Sequence, residues 1–312
     1  MMKCLVTGGA GFIGSHLATL LVERGDSVRV FDNFSTGKCE NLSHLGDNVE
    51  VIQGDLLDEA QVERAVRSVE VVFHQAALAS VPRSVASPLD THAACVTGTL
   101  NLLTASKDAG VRRFIYAGSS SAYGNQPFGS KREVDLPAPL SPYAAAKLAG
   151  ELYCKAFYAT YGMEAVVIRY FNVFGPRQDP NSQYSAVIPR FVTAMLRGES
   201  PVIYGDGLQS RDFTYVENVV HANLAAAEAR GAAGGVFNAA CGESVTLVDL
   251  VSNINRLIGS DIKPRFDAVR VGDVRSSLAD ISSAQRVLNY APVVDFSEGL
   301  RRSIEYYAKN GS

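Results

Sequence analysis

Patterned cysteine, long apolar runs and an excess of either charge are all missing from this sequence, and each absence removes a class of protein. The five cysteines, Cys4, Cys39, Cys95, Cys154 and Cys241, are scattered, with no CxxC and no metal-type spacing. An odd, dispersed set argues against a disulfide scaffold, suggests no metal site and fits a reducing cytoplasm. No stretch reaches about 18 uninterrupted apolar residues, so no membrane span is expected. The opening "MMKCLVTGGAGFIG" enters a strand at once and is broken by glycines, unlike a signal peptide. Lys and Arg number 29 against 32 Asp and Glu, a net charge of -3. That balance offers no basic stripe, so nucleic acid is not an expected partner. Repeats and low-complexity segments are absent too.

What is present is a chain of 312 residues, 47% hydrophobic, ample for a core and for one large domain or two small ones. Apolar runs of strand length, such as "KCLVTGG" (3–9), "SVRVFDN" (27–33), "VEVIQGD" (49–55), "VEVVFHQAA" (69–77) and "VRRFIYAGSSS" (111–121), alternate with helical patterns at 15–25, 58–67, 88–110 and 141–162. Strands alternating with helices predict βαβ units and a parallel sheet covered on both faces. Beyond about residue 175 the pattern loosens into a smaller mixed part. The expected division is residues 1–175 for a dinucleotide domain and 176–312 for a substrate domain, with later segments crossing back to the main sheet.

Gly8, Gly11 and Gly14 form a GxxGxxG directly after the first strand. Gly8 and Gly11 allow a tight turn and close backbone approach to a pyrophosphate; Gly14 lets the helix pack near the strand. A glycine-rich turn alone would be weak. Here it lies between strand and helix and is followed by Asp32 at the end of the second strand, where a ribose 2′-hydroxyl would be held. Asp32, with no arginine just beyond, favours NAD over NADP, because a 2′-phosphate would meet a carboxylate. Asp55, Leu56, Ala76 and Ala77 end later strands on the same edge and are candidates for the adenine and ribose pocket.

Tyr143 and Lys147 stand four residues apart on one face of a long helix. An ammonium beside a phenol favours the phenolate, which suits Tyr143 as a base near neutral pH. YxxxK also occurs by chance on ordinary amphipathic helices. It gains weight from Ser119, at the carboxyl end of the preceding strand, where open α/β sheets bind ligands.

Together TGGAGFIG, Asp32, Ser119 and Tyr143-x-x-x-Lys147 resemble the extended short-chain dehydrogenase/reductase family. "RYFNVFGPRQ" and "GDGLQSRDFTYVENVV" are similar to its nucleotide-sugar branch, so the resemblance covers nearly the whole chain. It implies a Rossmann-type doubly wound parallel sheet for NAD with a smaller mixed α/β C-terminal part for a nucleotide sugar. It adds Phe12, Ile13, Asn33, Gly37 and Tyr170 to the cofactor site. The stretch "AGSSSAYG" (117–124) then separates reactions. Dehydrating and decarboxylating members carry carboxylates just before the Tyr-Gly pair; here those positions are Ser120 and Ser121. Hydroxyls cannot replace a carboxylate in proton abstraction. The pattern is that of the 4-epimerases, with Ser119, Tyr143 and Lys147 as the catalytic set.

The same resemblance implies a substrate site. Asn172 touches the diphosphate, Arg211 and Arg270 clamp its phosphates, and guanidinium forks suit that task. Asp273 holds the uridine ribose, and Ile188 and Tyr204 flank the uracil, with Val187 beside them. Ser277 falls where glucose-restricted relatives carry Tyr, and Ala79 where they carry Lys, leaving room for a 2-N-acetyl group. Ser80, Ser121, Gln178 and Ala186 complete a pocket most similar to that of UDP-N-acetylglucosamine 4-epimerases. Size permits the acetyl group more strongly than it excludes glucose. Arg83 suits a C6 carboxylate, so a UDP-uronic acid is the second reading; a non-catalytic binder of NAD and nucleotide sugar is a third. Cys95 stands where the family usually has an Asn that positions the cofactor, and a thiol is a poorer hydrogen-bonding group. The helices 88–110 and 141–162 match the pair with which relatives form homodimers.

Overall fold

A computed structural model describes residues 1–126, 129–180, 187–269 and 274–310. In chain order its principal elements are β1 (Lys3–Thr7), α1 (Phe12–Glu23), β2 (Ser27–Asp32), β3 (Val49–Gln53), α2 (Glu59–Val66), β4 (Val71–His74), α3 (Val81–Ala86), α4 (Pro88–His92), α5 (Gly98–Asp108), β5 (Arg113–Ser119), α6 (Pro142–Tyr161) and β6 (Glu164–Tyr170). The rest are β7 (Val173–Phe174), α7 (Val187–Leu196), β8 (Val202–Tyr204), β9 (Ser210–Arg211), β10 (Thr214–Tyr215), α8 (Val216–Glu228), β11 (Val236–Ala239), β12 (Val245–Thr246), α9 (Leu247–Ile258), β13 (Arg265–Asp267), β14 (Ser276–Ser277), α10 (Ser282–Leu288) and α11 (Phe296–Asn310).

Seven strands form one sheet in the order β11-β6-β5-β4-β1-β2-β3, and every pairing is parallel. Such strands are buried on both faces, so alternate residues enter different cores. Cys4 and Val6 join the α1 and α8 side, while Leu5 joins the α2, α5 and α6 side. Ile115 and Ala117 against Phe114 and Tyr116 repeat the division. The strand order reverses between β1 and β4, the switch point where a crevice opens beyond the carboxyl ends. α8 and β11 come from beyond residue 175 yet cover and extend this sheet. Smaller sheets, β12-β9-β14, β13-β8 and β10-β7, lie outside it.

Helix ends follow local chemistry. Ser141 caps α6 by accepting from the Ala144 N–H at 3.2 Å, and Gly162 closes it in a left-handed turn. Two segments depart from the sequence expectation. The helix expected over 88–110 contains a π-turn at Ala93–Thr97 centred on Cys95, a distortion common at functional sites. The apolar run 163–175, of strand pattern, breaks at Asn172, whose φ of 32° ends β6 before β7 starts.

Candidate active site

Beyond the carboxyl ends of β1 to β4 lies a cavity of about 820 Å³. Gly8, Gly11, Phe12, Ile13 and Gly14 form one wall, Asp32, Asn33 and Gly37 another, and Asp55, Leu56, Ala76 and Ala77 a third. Gly8 has φ +67°, and a Cβ there would stand 2.6 Å from the Ala76 backbone. At Gly14 a Cβ would stand 2.2 Å from the Gly8 carbonyl oxygen, so neither position admits a side chain. Gly11 offers α1 no side-chain cap and no acid sits in the first turn. The helix N-terminus therefore presents free N–H groups and its positive dipole to the cavity. Asp32 is held in place by N–H groups of Ala10 (2.9 Å) and Phe34 (2.8 Å), and Asn33 donates to Asp55 at 3.0 Å. A glycine-lined cradle, an uncapped helix start and a fixed carboxylate fit a dinucleotide with free ribose hydroxyls.

Ser119 ends β5 and Tyr143 lies in the first turn of α6, and the Ser119 hydroxyl is near enough to the phenol to favour its ionised form. Ser119 Oγ also lies 2.8 Å from Ser121 Oγ. Burial pushes the Tyr143 phenol up to about 12, and the Ser119 hydroxyl opposes that shift. Lys147 Nζ sits over the Tyr116 ring, 4.5 Å from its centroid, and burial holds its ammonium below the usual lysine range. Tyr116, from β5, fills the space beneath α6 and donates to the Lys147 carbonyl at 3.1 Å, which draws the ammonium to its own face. Ser119, Tyr143 and Lys147 are not among the cavity walls. Tyr143 and Lys147 stand near Cys95, which clusters with Ala77 and Ala94, both walls of the cavity. The Tyr170 hydroxyl joins a network with Gln75, itself a cavity wall, and Asn223, each at 3.0 Å.

Among the expected substrate residues, Ala79, Ser80, Arg83 and Gln178 line the cavity. Ser80 Oγ caps α3 through the Arg83 N–H at 3.1 Å, and Gln178 donates to the Val173 carbonyl at 3.1 Å while its buried Oε1 has no partner among the described residues. Asn172, Arg211 and Ser277 come together away from that wall. Ser277 pairs with Arg211 across β14 and β9, and Asn172 Nδ2 donates to Asp212 O (3.1 Å) and Ser277 Oγ (3.4 Å). Tyr204 is half-buried on β8, and Val187 partly buried at the start of α7. Ile188 is corrected: it is 1% exposed and packs into the main core, because the apolar face of α7 turns inward. Ala186, Arg270 and Asp273 lie outside the described residues.

Several site residues carried no sequence signal. Asp212 is fully buried and accepts N–H groups from Cys241, Gly242 and Ala279 at 2.9, 3.0 and 3.2 Å, joining the substrate strands. Burial nevertheless pushes its carboxyl up to about 6, with those N–H groups opposing. His74 is buried beneath the cofactor wall. Thr99 donates to the Cys95 carbonyl (2.7 Å), so it accepts from His74 Nε2 (2.8 Å), and Nδ1 accepts from Thr7 (2.7 Å). Arg169 and Glu151 form a buried two-point pair, 2.9 and 2.6 Å, one turn beyond Lys147. Lys38, Arg177 and Asp179 line the cavity.

Comparison with known proteins agrees with this architecture. The family model described as "NAD dependent epimerase/dehydratase family" matches residues 4–240. The structure of the UDP-N-acetylglucosamine 4-epimerase from Methanobrevibacter ruminantium, in complex with UDP-N-acetylmuramic acid, is 44% identical, with a TM-score of 0.95 over 99% of both chains. The UDP-glucose 4-epimerase from Thermotoga maritima, with UDP-glucose, is 40% identical with a TM-score of 0.94 over 100% of both. The UDP-glucuronic acid 4-epimerase from Bacillus cereus, with UDP-glucuronic acid and NAD, is 33% identical with a TM-score of 0.92 over 100% of both. With a dinucleotide cradle at the switch point and a Ser-Tyr-Lys set beside it, this chain belongs to the NAD-dependent epimerase/dehydratase family and uses NAD.

Proposed function

We propose that the chain, an NAD-dependent UDP-sugar 4-epimerase, interconverts UDP-N-acetylglucosamine and UDP-N-acetylgalactosamine, with the plain hexose pair admitted by the same pocket. The observation that carries the reaction type is the hydroxyl-only stretch Ser119–Ser121 beside Tyr143. It holds and passes a proton at the sugar 4-hydroxyl but supplies no carboxylate for elimination. Tyr143 removes that proton and Ser119 orients it. NAD held by the Gly8–Gly14 cradle and Asp32 would supply the hydride acceptor and donor for C4, which matches an isomerisation with no net oxidation. The 4-keto sugar turns over between the two transfers, and Tyr143 gives the proton back.

Ser277 supports the acetylated substrates, because its small side chain beside Asn172 and Arg211 leaves room at the sugar wall. Ser277→Tyr is expected to suppress turnover of acetylated sugars relative to plain hexoses; an unchanged ratio places Ser277 elsewhere. Arg83 supports a second reading. It lines the cavity and has no carboxylate partner among the described residues, which suits an acidic sugar. The deciding experiment incubates the protein with UDP-N-acetylglucosamine, UDP-glucose and UDP-glucuronic acid, each with NAD, and separates the products. Fastest formation of UDP-N-acetylgalactosamine supports the first reading, and fastest conversion of the uronic acid the second. Conversion of none moves the reading to a different nucleotide sugar or to a non-catalytic binder.

In this reading residues 1–175 with α8 and β11 serve NAD, and the remaining C-terminal elements serve the UDP-sugar. The working unit is a cytoplasmic homodimer joined through residues 88–110 and 141–162. Leu89 and Leu152 are 82% and 55% exposed there, flanking a groove lined by Val96, Pro142, Ala145 and Ala149.

A further inference from the structure

We propose that the ion pair between Lys38 and Asp179 bridges the solvent side of the cofactor cavity and slows the release of NAD, making these two residues cofactor-retention determinants. Lys38 Nζ lies 3.3 Å from Asp179 Oδ2. Both residues line the cavity, yet their side chains remain 55% and 39% exposed. A pair that is at once a cavity wall and in contact with water marks the rim. Asp32, by contrast, is buried at the floor.

The pair joins two loops that are each fastened independently. The first follows β2. Its Lys38 N–H donates to the Ala10 carbonyl at 3.0 Å, and Asn41 Nδ2 donates to the same oxygen at 2.8 Å. The second, residues 175–180, follows β7 and crosses the dinucleotide helix itself. Arg177, with φ +65°, donates to Ser15 Oγ at 3.3 Å and Thr19 Oγ1 at 3.2 Å on α1. His16 donates from Nε2 to the Pro176 carbonyl at 2.9 Å. From α11 the Tyr307 hydroxyl reaches the carbonyls of Gly175 (3.1 Å) and Gln178 (2.7 Å). An exposed ion pair is weak when both side chains must be ordered to form it. Here the backbones on both sides are already pinned, so less ordering is needed. A dinucleotide lying between Gly11–Gly14 and these loops leaves outward only when the bridge opens. Such retention suits a reaction in which the cofactor ends each turnover as it began. The inference rests on NAD binding and not on which sugar is turned over.

The test reads cofactor release directly. Protein loaded with labelled NAD is freed of excess nucleotide and chased with unlabelled NAD, and retained label is followed by filtration. Lys38→Ala and Asp179→Asn are each expected to speed release by about 1.5- to 5-fold, the range of an exposed pair. The charge swap Lys38→Asp with Asp179→Lys is expected to restore the parent rate. Added salt is expected to speed release from the parent and to leave the single variants nearly unchanged. Equal rates in parent and single variants overturn the proposal. Faster release in Lys38→Ala with slower release in Asp179→Asn also overturns it, since Lys38 would then hold the cofactor directly and Asp179 would only compete.

Discussion

In the proposed reaction Tyr143 loses and regains a proton near neutral pH, at a site where burial, and next Cys95, push its phenol up to about 12. The opposing influence in this structure is the Ser119 hydroxyl. Tyr143→Phe is therefore expected to lower kcat by roughly 10²–10⁴ while leaving UDP-sugar binding intact; retained turnover would remove Tyr143 from the mechanism. Ser119→Ala takes away the hydroxyl that favours the phenolate, so the rising limb of the kcat–pH profile is expected to move to higher pH. A limb that stays in place would mean that Ser119 only orients substrate. The motif suggested both of these proposed roles. The partner of Lys147 was not, because Tyr116 is 31 positions away in sequence and meets it only where β5 passes under α6.

At the scale of elements, α6 carries Tyr143, Lys147 and Glu151 along one face, and Arg169 on β6 grips Glu151. Register places Arg169 beside Gly118 and Tyr170 beside Ser119. The pair thus fixes α6 against the strand end that supplies Ser119. Breaking a buried ion pair from one side leaves an uncompensated charge and costs about 3–5 kcal/mol, whereas replacing both partners by apolar residues is often nearly neutral. Arg169→Met alone is expected to cause the large loss in a urea titration, and Arg169→Met with Glu151→Met to recover most of it. If the double variant is as unstable as the single, the charge balance is not what matters there. Nothing in either residue's local sequence announced this pair, since helix and strand patterns do not say which buried charges meet.

For the whole molecule, His74 makes stability depend on pH. Burial, then the Lys147 charge, lowers it to about 3 from the ordinary 6.5. The unfolded chain gains a proton below 6.5 that the folded chain refuses, so this contribution is complete above 6.5 and fades as pH falls toward 3. Its slope is about 1.4 kcal/mol per pH unit, or roughly 2 kcal/mol between pH 6.5 and 5. Urea midpoints at several pH values should show that loss in the parent and a flatter response in His74→Asn; equal slopes would assign the acid sensitivity to other groups. The proposed dimer is tested at the same scale. Leu152→Glu places a charge on the exposed face of α6 and is expected to shift the sedimenting species from dimer to monomer, and an unchanged species would move the interface elsewhere.

Periodicity and glycine spacing were enough to read the alternating α/β class, the parallel sheet and the glycine turn of the cofactor cradle, because each depends on neighbours within a turn or a strand; the Ser119, Tyr143 and Lys147 set came from the family resemblance. The three serines in place of carboxylates were equally plain, since a missing functional group is visible in one dimension. Tertiary structure alone decided what distant residues do to one another. It buried Ile188 instead of leaving it for a uracil ring, turned Tyr170 toward Gln75 and Asn223, and gave Lys147 an aromatic face. It also brought Lys38 to Asp179 across the cavity. Those outcomes depend on which surfaces pack together and how deeply, and burial and long-range contact are properties of the folded chain.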